Sequence, residues 1–168
     1  MKQAMNPLLT KIEKVVYDTA GLHVSNYTTE PESKEYCACR FTVNGLNVHS
    51  RNAKITPKKA GQFVTFWKRS SKGPIAPFHE SDAIDFFLVN VQTEDGVGQF
   101  VFPKSVLVKK GLISTDSKEG KRAFRVYPRG TITTSKQAQQ TQKWQLDYYY
   151  IIDSLTDLKT VAELFGLG

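Results

Sequence analysis

The apolar positions of the chain keep two different periods, and the change from one to the other divides it into elements. Leu8, Leu9, Ile12, Val15 and Val16 recur at helical spacing behind Asn6-Pro7, a pair suited to opening a helix. Gly21 suits the C-terminal stop, so the pattern predicts a helix over roughly 6–20 that covers a sheet. In YCACRFTVNGLNVHSR the period becomes two, around Asn44-Gly45, the pair that a two-residue type I′ hairpin demands. That turn sets Val43 opposite Leu46, Phe41 opposite Val48 and Cys39 opposite Ser50. One face collects Cys37, Cys39, Phe41, Val43, Leu46 and Val48; the other collects Arg40, Thr42, Asn47, His49 and Arg51. Arg40 opposite His49 is unfavourable if both are charged. An external anion, a carboxylate from the acidic segment over residues 73–100, or a neutral, exposed His49 would each resolve it.

Beyond this hairpin, Asn52–Lys59 reads as a loop stopped by Pro57, and Gln62–Trp67, apolar on both faces, as a central strand. SSKGPIAP is a Gly/Pro connection and HESDAID an acidic approach to Ile84–Val91, the most buried-looking strand. TEDGVG turns that strand back into Gly98–Phe102. A turn centred on Glu94-Asp95 puts Val91 opposite Gly98, Phe87 opposite Phe102 and Asp85 opposite Lys104. Pro103 can begin a short helix through Lys110 with Gly111 as terminator, and Ser114–Gly120 is polar loop. Lys121–Tyr127 alternates again. Ser135 caps KQAQQTQKWQL, rich in Gln and poor in Leu or Ile, a helix weakly driven into a core and suited to lining a cleft or joining a partner. Ala138, Thr141, Gln145 and Tyr148 share one of its faces, with Trp144 adjoining. Thr156 is placed to cap a last amphipathic turn or two. The predicted fold is α/β (α+β): one domain over 1–168, a central mixed or antiparallel sheet core over about 35–127 and C-terminal helices over about 135–165.

Length and composition agree with this. A chain of 168 residues with 40% hydrophobic and 23% charged residues buries a core without staples. No apolar run reaches membrane-spanning length and MKQAMNPLLTKIEK has no signal-peptide core, which predicts a cytoplasmic protein with no membrane insertion. Cys37 and Cys39, two apart, do not suit a mutual disulfide, and with no His cluster a structural zinc is not expected.

Charge changes the picture more. The net of +7 is segregated: residues 36–72 carry eight basic groups and no acid, residues 73–100 carry five acids and no Lys or Arg, and residues 101–145 carry ten basic groups against Asp116 and Glu119. Blocked charge suits a polyanion-binding face, because each phosphate neutralised releases counterions, whereas excess charge alone also serves solubility. The candidate phosphate contacts are Arg40, Arg51, Lys54, Lys68, Lys104, Lys121, Arg122 and Arg125, with Tyr127 beside Arg125 for base stacking. Asp85 and Lys104 are the candidate catalytic pair, with Asp85 the metal ligand. They are either a cross-strand ion pair closing a sheet edge or a site in which Asp85 holds a divalent cation and Lys104 stabilises charge on a phosphate.

The blocks ACRFTVNGLNVHSRNAKITPKKAGQFVTFWKR, GQFVFPK, KEGKRAFRVYPR and QAQQTQKWQLDYY resemble, in order and spacing, the MepB family of bacterial proteins, named for a gene beside a multidrug efflux system. The resemblance implies a fold similar to type II restriction endonucleases and nucleic-acid binding, to DNA or RNA. Nucleases of that fold place Asp early on one central strand and an acid-x-Lys triplet on the next. Asp85 and Lys104 match the ends of that pattern, and Phe102 stands where the middle acid belongs. Gln99 is the nearest polar residue on the strand, and Glu35 or Glu80 would have to substitute from elsewhere. The expectation is therefore a nucleic-acid-binding module on a nuclease-like scaffold with no cofactor. The alternatives are a nuclease requiring Mg²⁺ or Mn²⁺, and a protein-interaction module tied to efflux regulation through the Gln-rich helix and acidic tail.

Overall fold

The computed structural model describes residues 5–69, 73–153 and 156–167. Asn6 opens the first helix by accepting from the Leu9 amide, and the helix runs as α1 (Pro7–Ile12), a π-helical stretch (Glu13–Tyr17) and α2 (Asp18–Ala20), with Gly21 at φ +76° ending it. Strands β1 (Val24–Thr29), β2 (Cys39–Val43) and β3 (Leu46–Asn52) follow. The β2–β3 hairpin has the predicted register, and Asn44 and Gly45 both take the positive φ of a type I′ turn. Cys37 is not in the strand: it caps a short 3₁₀ turn (Lys34–Tyr36) at φ +50°. Both cysteines are free; Cys39 is buried, which pushes its thiol up to about 12.

Strands β4 (Lys54–Ile55), β5 (Gln62–Thr65), β6 (Trp67–Arg69) and β7 (Ile75–Pro77) lie between β3 and β8 (Phe86–Thr93). The connection between β6 and β7 includes residues 70–72 of the predicted SSKG linker, outside the described residues. β8 turns through Glu94-Asp95 into β9 (Gly96–Pro103) with Phe87 opposite Phe102 and Val91 opposite Gly98, as the pattern predicts. Next come α3 (Lys104–Lys109), β10 (Ala123–Val126), α4 (Lys136–Gln145), β11 (Tyr149–Ile151) and α5 (Leu158–Leu164). Asp157, not Thr156, caps α5; Thr156 donates its hydroxyl to the Ile151 and Asp153 carbonyls.

Among the described residues the main sheet has the order β1-β2-β3-β8-β9-β11, antiparallel except for the parallel β3–β8 pair. This is a mixed sheet in an α/β domain. It extends past the predicted core at both edges: β1 carries mostly exposed polar residues and β11 is three residues long, so neither shows a strand period in sequence. Gln62–Trp67 is not in this sheet. Its strand β5 is the middle of a smaller sheet, β10-β5-β4, in which β4 and β5 come from the crossover between β3 and β8 and β10 from the chain after α3.

Side chains of β8 and β9 alternate between two cores, which is why their sequence reads as continuously apolar. Leu88 and Val101 meet Leu9, Ile12, Val16 and Phe165 on the helical face. Phe87, Val89, Phe100 and Phe102 meet Val64, Phe66, Leu107 and Val126 on the other. A polar strut crosses the sheet inside this packing. The Tyr17 and Tyr150 hydroxyls each donate to Gln99 Oε1 at 2.6 Å, Gln99 donates to Asn90 Oδ1 at 2.8 Å, and Asn90 donates to Ser50 Oγ and Asn52 Oδ1, both at 3.0 Å. Gln99 is 0% exposed, so it belongs to this strut and does not substitute for a metal-binding acid.

Candidate functional site

Folding treats the two basic blocks differently. Three of the eight cations in the 36–72 block are paired with acids from other parts of the chain: Arg40 with Glu30 at 2.8 Å, Lys68 with Asp82 at 2.7 Å and Arg69 with Glu32 at 2.8 Å. Arg51 leaves the surface altogether. It is 4% exposed, donates to Ser33 Oγ, Thr65 Oγ1 and the Trp67 carbonyl, and burial depresses its guanidinium to about 10. Lys54 sits over the Tyr36 ring, 4.8 Å from its centroid. In the 101–145 block the carboxylate pairing among the described residues is slight: Arg122 meets Glu119 at 3.1 Å, an exposed pair of small worth. Lys110, Lys121 and Lys143 have no carboxylate within 4.0 Å among the described residues, and all three line one groove.

That groove lies between β10 and α4. A hollow of about 510 Å³ is bounded by Lys110, Lys121, Phe124, Arg125, Tyr127, Ala138, Thr141 and Trp144. A second of about 520 Å³ continues it past Lys110, Gln137, Thr141 and Trp144 to Gln140, Lys143 and Asp147. Lys110 is placed by the end of α3, where Gly111 takes φ +75°. Lys121 is placed by Gly120, whose missing Cβ would stand 2.4 Å from the Leu112 carbonyl oxygen; only glycine lets the loop close and the Lys121 amide reach that oxygen at 2.9 Å.

The glutamines of α4 hold the far wall. Gln145, 1% exposed, accepts from the Tyr127 amide and donates to the Arg125 carbonyl, both at 2.9 Å, so its amide continues the ladder of the edge strand β10. Gln142 donates to the Pro128 and Thr131 carbonyls and Gln139 to the Thr133 carbonyl. Spacing of three residues puts these side chains on one face, and Ala138, Thr141 and Trp144 on the groove. The helix does line a cleft, as its composition suggests. Lys110 and Lys143 are absent from the sequence-derived contacts, and Trp144 and Gln145 enter the sequence reading only as part of a helix face suited to a cleft, although Gln139, Gln142 and Gln145 at a regular interval are a readable signal.

Arg125 reaches this groove but is taken by the fold. Its Nε donates to the Ala60 carbonyl at 2.9 Å and its Nη2 to Thr56 Oγ1 at 2.6 Å and the Gly61 carbonyl at 3.1 Å. It clamps the 56–61 loop to β10, and with Arg51 it is withdrawn from the predicted phosphate contacts. Tyr127 lines the groove with its ring packed over Gly61, where a Cβ would stand 2.6 Å from it.

Asp85 and Lys104 are opposite in the backbone, the Lys104 amide donating to the Asp85 carbonyl at 3.0 Å. Their side chains have different partners. The exposed Asp85 carboxylate accepts from the Asn47 amide at 2.7 Å, and Lys104 Nζ donates to the Asp82 carbonyl at 2.7 Å. Neither expected arrangement, the ion pair or the metal-and-lysine site, is formed. Phe102 is 0% exposed between Phe124 and Trp144, and Glu35 lies exposed on the 3₁₀ turn. These residues do not fit a divalent cation.

Glu80 lies with His79 and Asp116, whose ligand atoms come within 4.8 Å of one another. The Ser81 amide donates to His79 Nδ1 at 3.1 Å, which leaves the proton of the neutral ring on Nε2, 3.2 Å from Asp116 Oδ1. Asp116 is 94% exposed, so the trio is an open surface cluster, and exposed acidic groups are common without an ion. His49, opposite Arg40 as predicted, is neutral but not exposed: burial, then Arg51 and Arg40, lower it to about 4. Glu30 is 3.9 Å from its Nδ1, but Arg40 engages that carboxylate at 2.8 Å.

The sequence profile of MepB-like proteins matches residues 30–151. The chain belongs to the MepB-like family. The crystal structure of MepB superposes with a TM-score of 0.74 at 33% identity, covering 92% of this chain and 100% of that one. The MepB-like match spans β2 through β11, and so takes in both walls of the β10–α4 groove. A bacterial homing endonuclease is similar at a TM-score of 0.46 and 16% identity, over 83% of this chain and 86% of that one. No curated protein matches the chain. Among the described residues no helix is long and apolar enough to cross a membrane.

Proposed function

We propose that this MepB-like protein binds DNA or RNA in the cytoplasm, mainly through phosphates and without sequence preference, on the endonuclease-like scaffold that the resemblance implies. The observation that carries the reading is the convergence of Lys110, Lys121 and Lys143, none held by a carboxylate, on a groove that also contains Trp144 and Tyr127. Arg40, Lys54, Lys68, Lys104 and Arg122 contribute at most a weaker surrounding field, since their charges have partners within the fold or lie off the groove. The reading calls for no cofactor. A nuclease using Mg²⁺ or Mn²⁺ would need Asp85 and Lys104 to turn toward a common point, and a partner docked on the Gln-rich face would meet glutamines already engaged with the 128–133 loop.

Salt titration of binding to oligonucleotides tests the proposal. Affinity should fall steeply with salt, by a log–log slope of about −0.9 per phosphate contact on a duplex and about −0.7 on a single strand. Absence of binding at about 50 mM salt, or binding indifferent to salt, overturns it.

A further inference from the structure

Resting on that reading, we infer that the β10–α4 groove takes an unpaired stretch of nucleic acid, with a base against Trp144, in preference to a duplex. A base within a duplex offers side chains only its edges, since both of its faces are covered by its neighbours in the stack. The face of an aromatic side chain therefore serves an unstacked base.

Trp144 is built for that use. It is half-buried where the two hollows meet, braced from within by Phe102 at a centroid distance of 5.5 Å and an interplanar angle of 53°. The Lys110 ammonium stands over the ring, 5.4 Å from its centroid, a cation–π contact that an incoming base replaces while the flexible lysine turns to the adjoining phosphate. Lys121 borders the first hollow and Lys143 the second, which also holds Asp147, and Lys110 borders both, so lysines flank the indole on either side.

The glutamines divide in the same sense. Gln139, Gln142 and Gln145 are bonded within the fold, whereas the Gln137 and Gln140 amides have no protein partner among the described residues and line the hollows with Thr141. A side-chain amide both donates and accepts, so these two can meet the edges of any base. That accounts for exposed glutamines where a purely phosphate-binding face would need only cations.

The test compares single-stranded DNA, single-stranded RNA and duplex DNA of about 12 nucleotides, together with an abasic single strand. The single strands should bind about tenfold tighter than the duplex and the abasic strand, with quenching of tryptophan fluorescence. Trp144→Ala should weaken single-strand binding by about 10- to 100-fold, and Trp144→Phe should abolish the quench, which Trp67→Phe should retain. Should Trp144→Ala fail to fold, the exposed pair Gln137→Ala/Gln140→Ala should weaken single-strand binding severalfold and leave the duplex unaffected. Equal or tighter binding of the duplex or the abasic strand, or a quench surviving Trp144→Phe, overturns the inference and leaves the broader reading standing. Failure of every probe to bind at about 50 mM salt removes both.

Discussion

The His49 imidazole lies edge-on to the Phe78 ring at 5.0 Å, under the influence of the Arg51 and Arg40 guanidinium groups, with Asp82 the weaker opposing influence and Glu30 3.9 Å from its Nδ1. Protonation would add a positive charge to a largely buried ring near two guanidinium groups, so the folded protein holds the ring neutral down to about 4 against an ordinary 6.5. The unfolded chain then binds more protons between these values. His49 thus contributes stability that is complete above about 6.5 and is lost as the pH falls toward 4, by on the order of 3 kcal/mol. Urea unfolding of the protein and of His49→Gln between pH 4.5 and 7 checks this: the wild type should lose stability on acidification more steeply than the variant, and parallel curves would refute it. The conflict between Arg40 and His49 was legible from the Asn44-Gly45 turn alone. Glu30, the residue that eases it, was not, because it follows an edge strand whose polar sequence gives no period and reaches Arg40 through tertiary contact.

At the scale of elements, periodicity reports how deeply a segment is buried and leaves open what buries it. Ile84–Val91 was read correctly because its length, its two apolar faces and its turn all agree. Gln62–Trp67 has the same local signature, yet its burial comes from a small second sheet, and no local pattern distinguishes the two settings. The Gln-rich helix was legible in part: its lack of large aliphatic residues pointed to a cleft, but only the structure divides its glutamines into a structural and an exposed set. Gln145 supplies the latch. Gln145→Ala leaves the Tyr127 amide and the Arg125 carbonyl without partners at a buried edge, and should destabilise by about 1–3 kcal/mol. Gln140→Ala, on the exposed side of the same helix, should cost within about 0.5 kcal/mol. Denaturant midpoints give both values, and faster amide exchange confined to α4 and β10 in Gln145→Ala would mark the latch as local.

Over the whole molecule the formal charge conceals which cations are available. The sequence shows two basic blocks of similar weight and cannot rank them, because their neutralising acids come from distant segments: Glu30 and Glu32 before the first block, Asp82 after it. Folding pairs Arg40, Lys68 and Arg69 of the first block with acids and sets Lys110, Lys121 and Lys143 of the second beside the groove. Two double variants separate local contact from general attraction, since each lowers the net charge from +7 to +5. Lys121→Gln/Lys143→Gln removes cations with no carboxylate partner at the groove; Arg40→Gln/Arg69→Gln removes cations already paired with Glu30 and Glu32. If long-range attraction governs binding, the two variants weaken it equally. If contact at the groove governs it, the lysine pair should lose about 1.4 units of salt slope on a single strand, and the arginine pair should keep nearly the wild-type slope. The slope is the better readout, because it counts displaced counterions and is insensitive to a small loss of stability. Equal slopes in the two variants would place the contact surface elsewhere on the molecule.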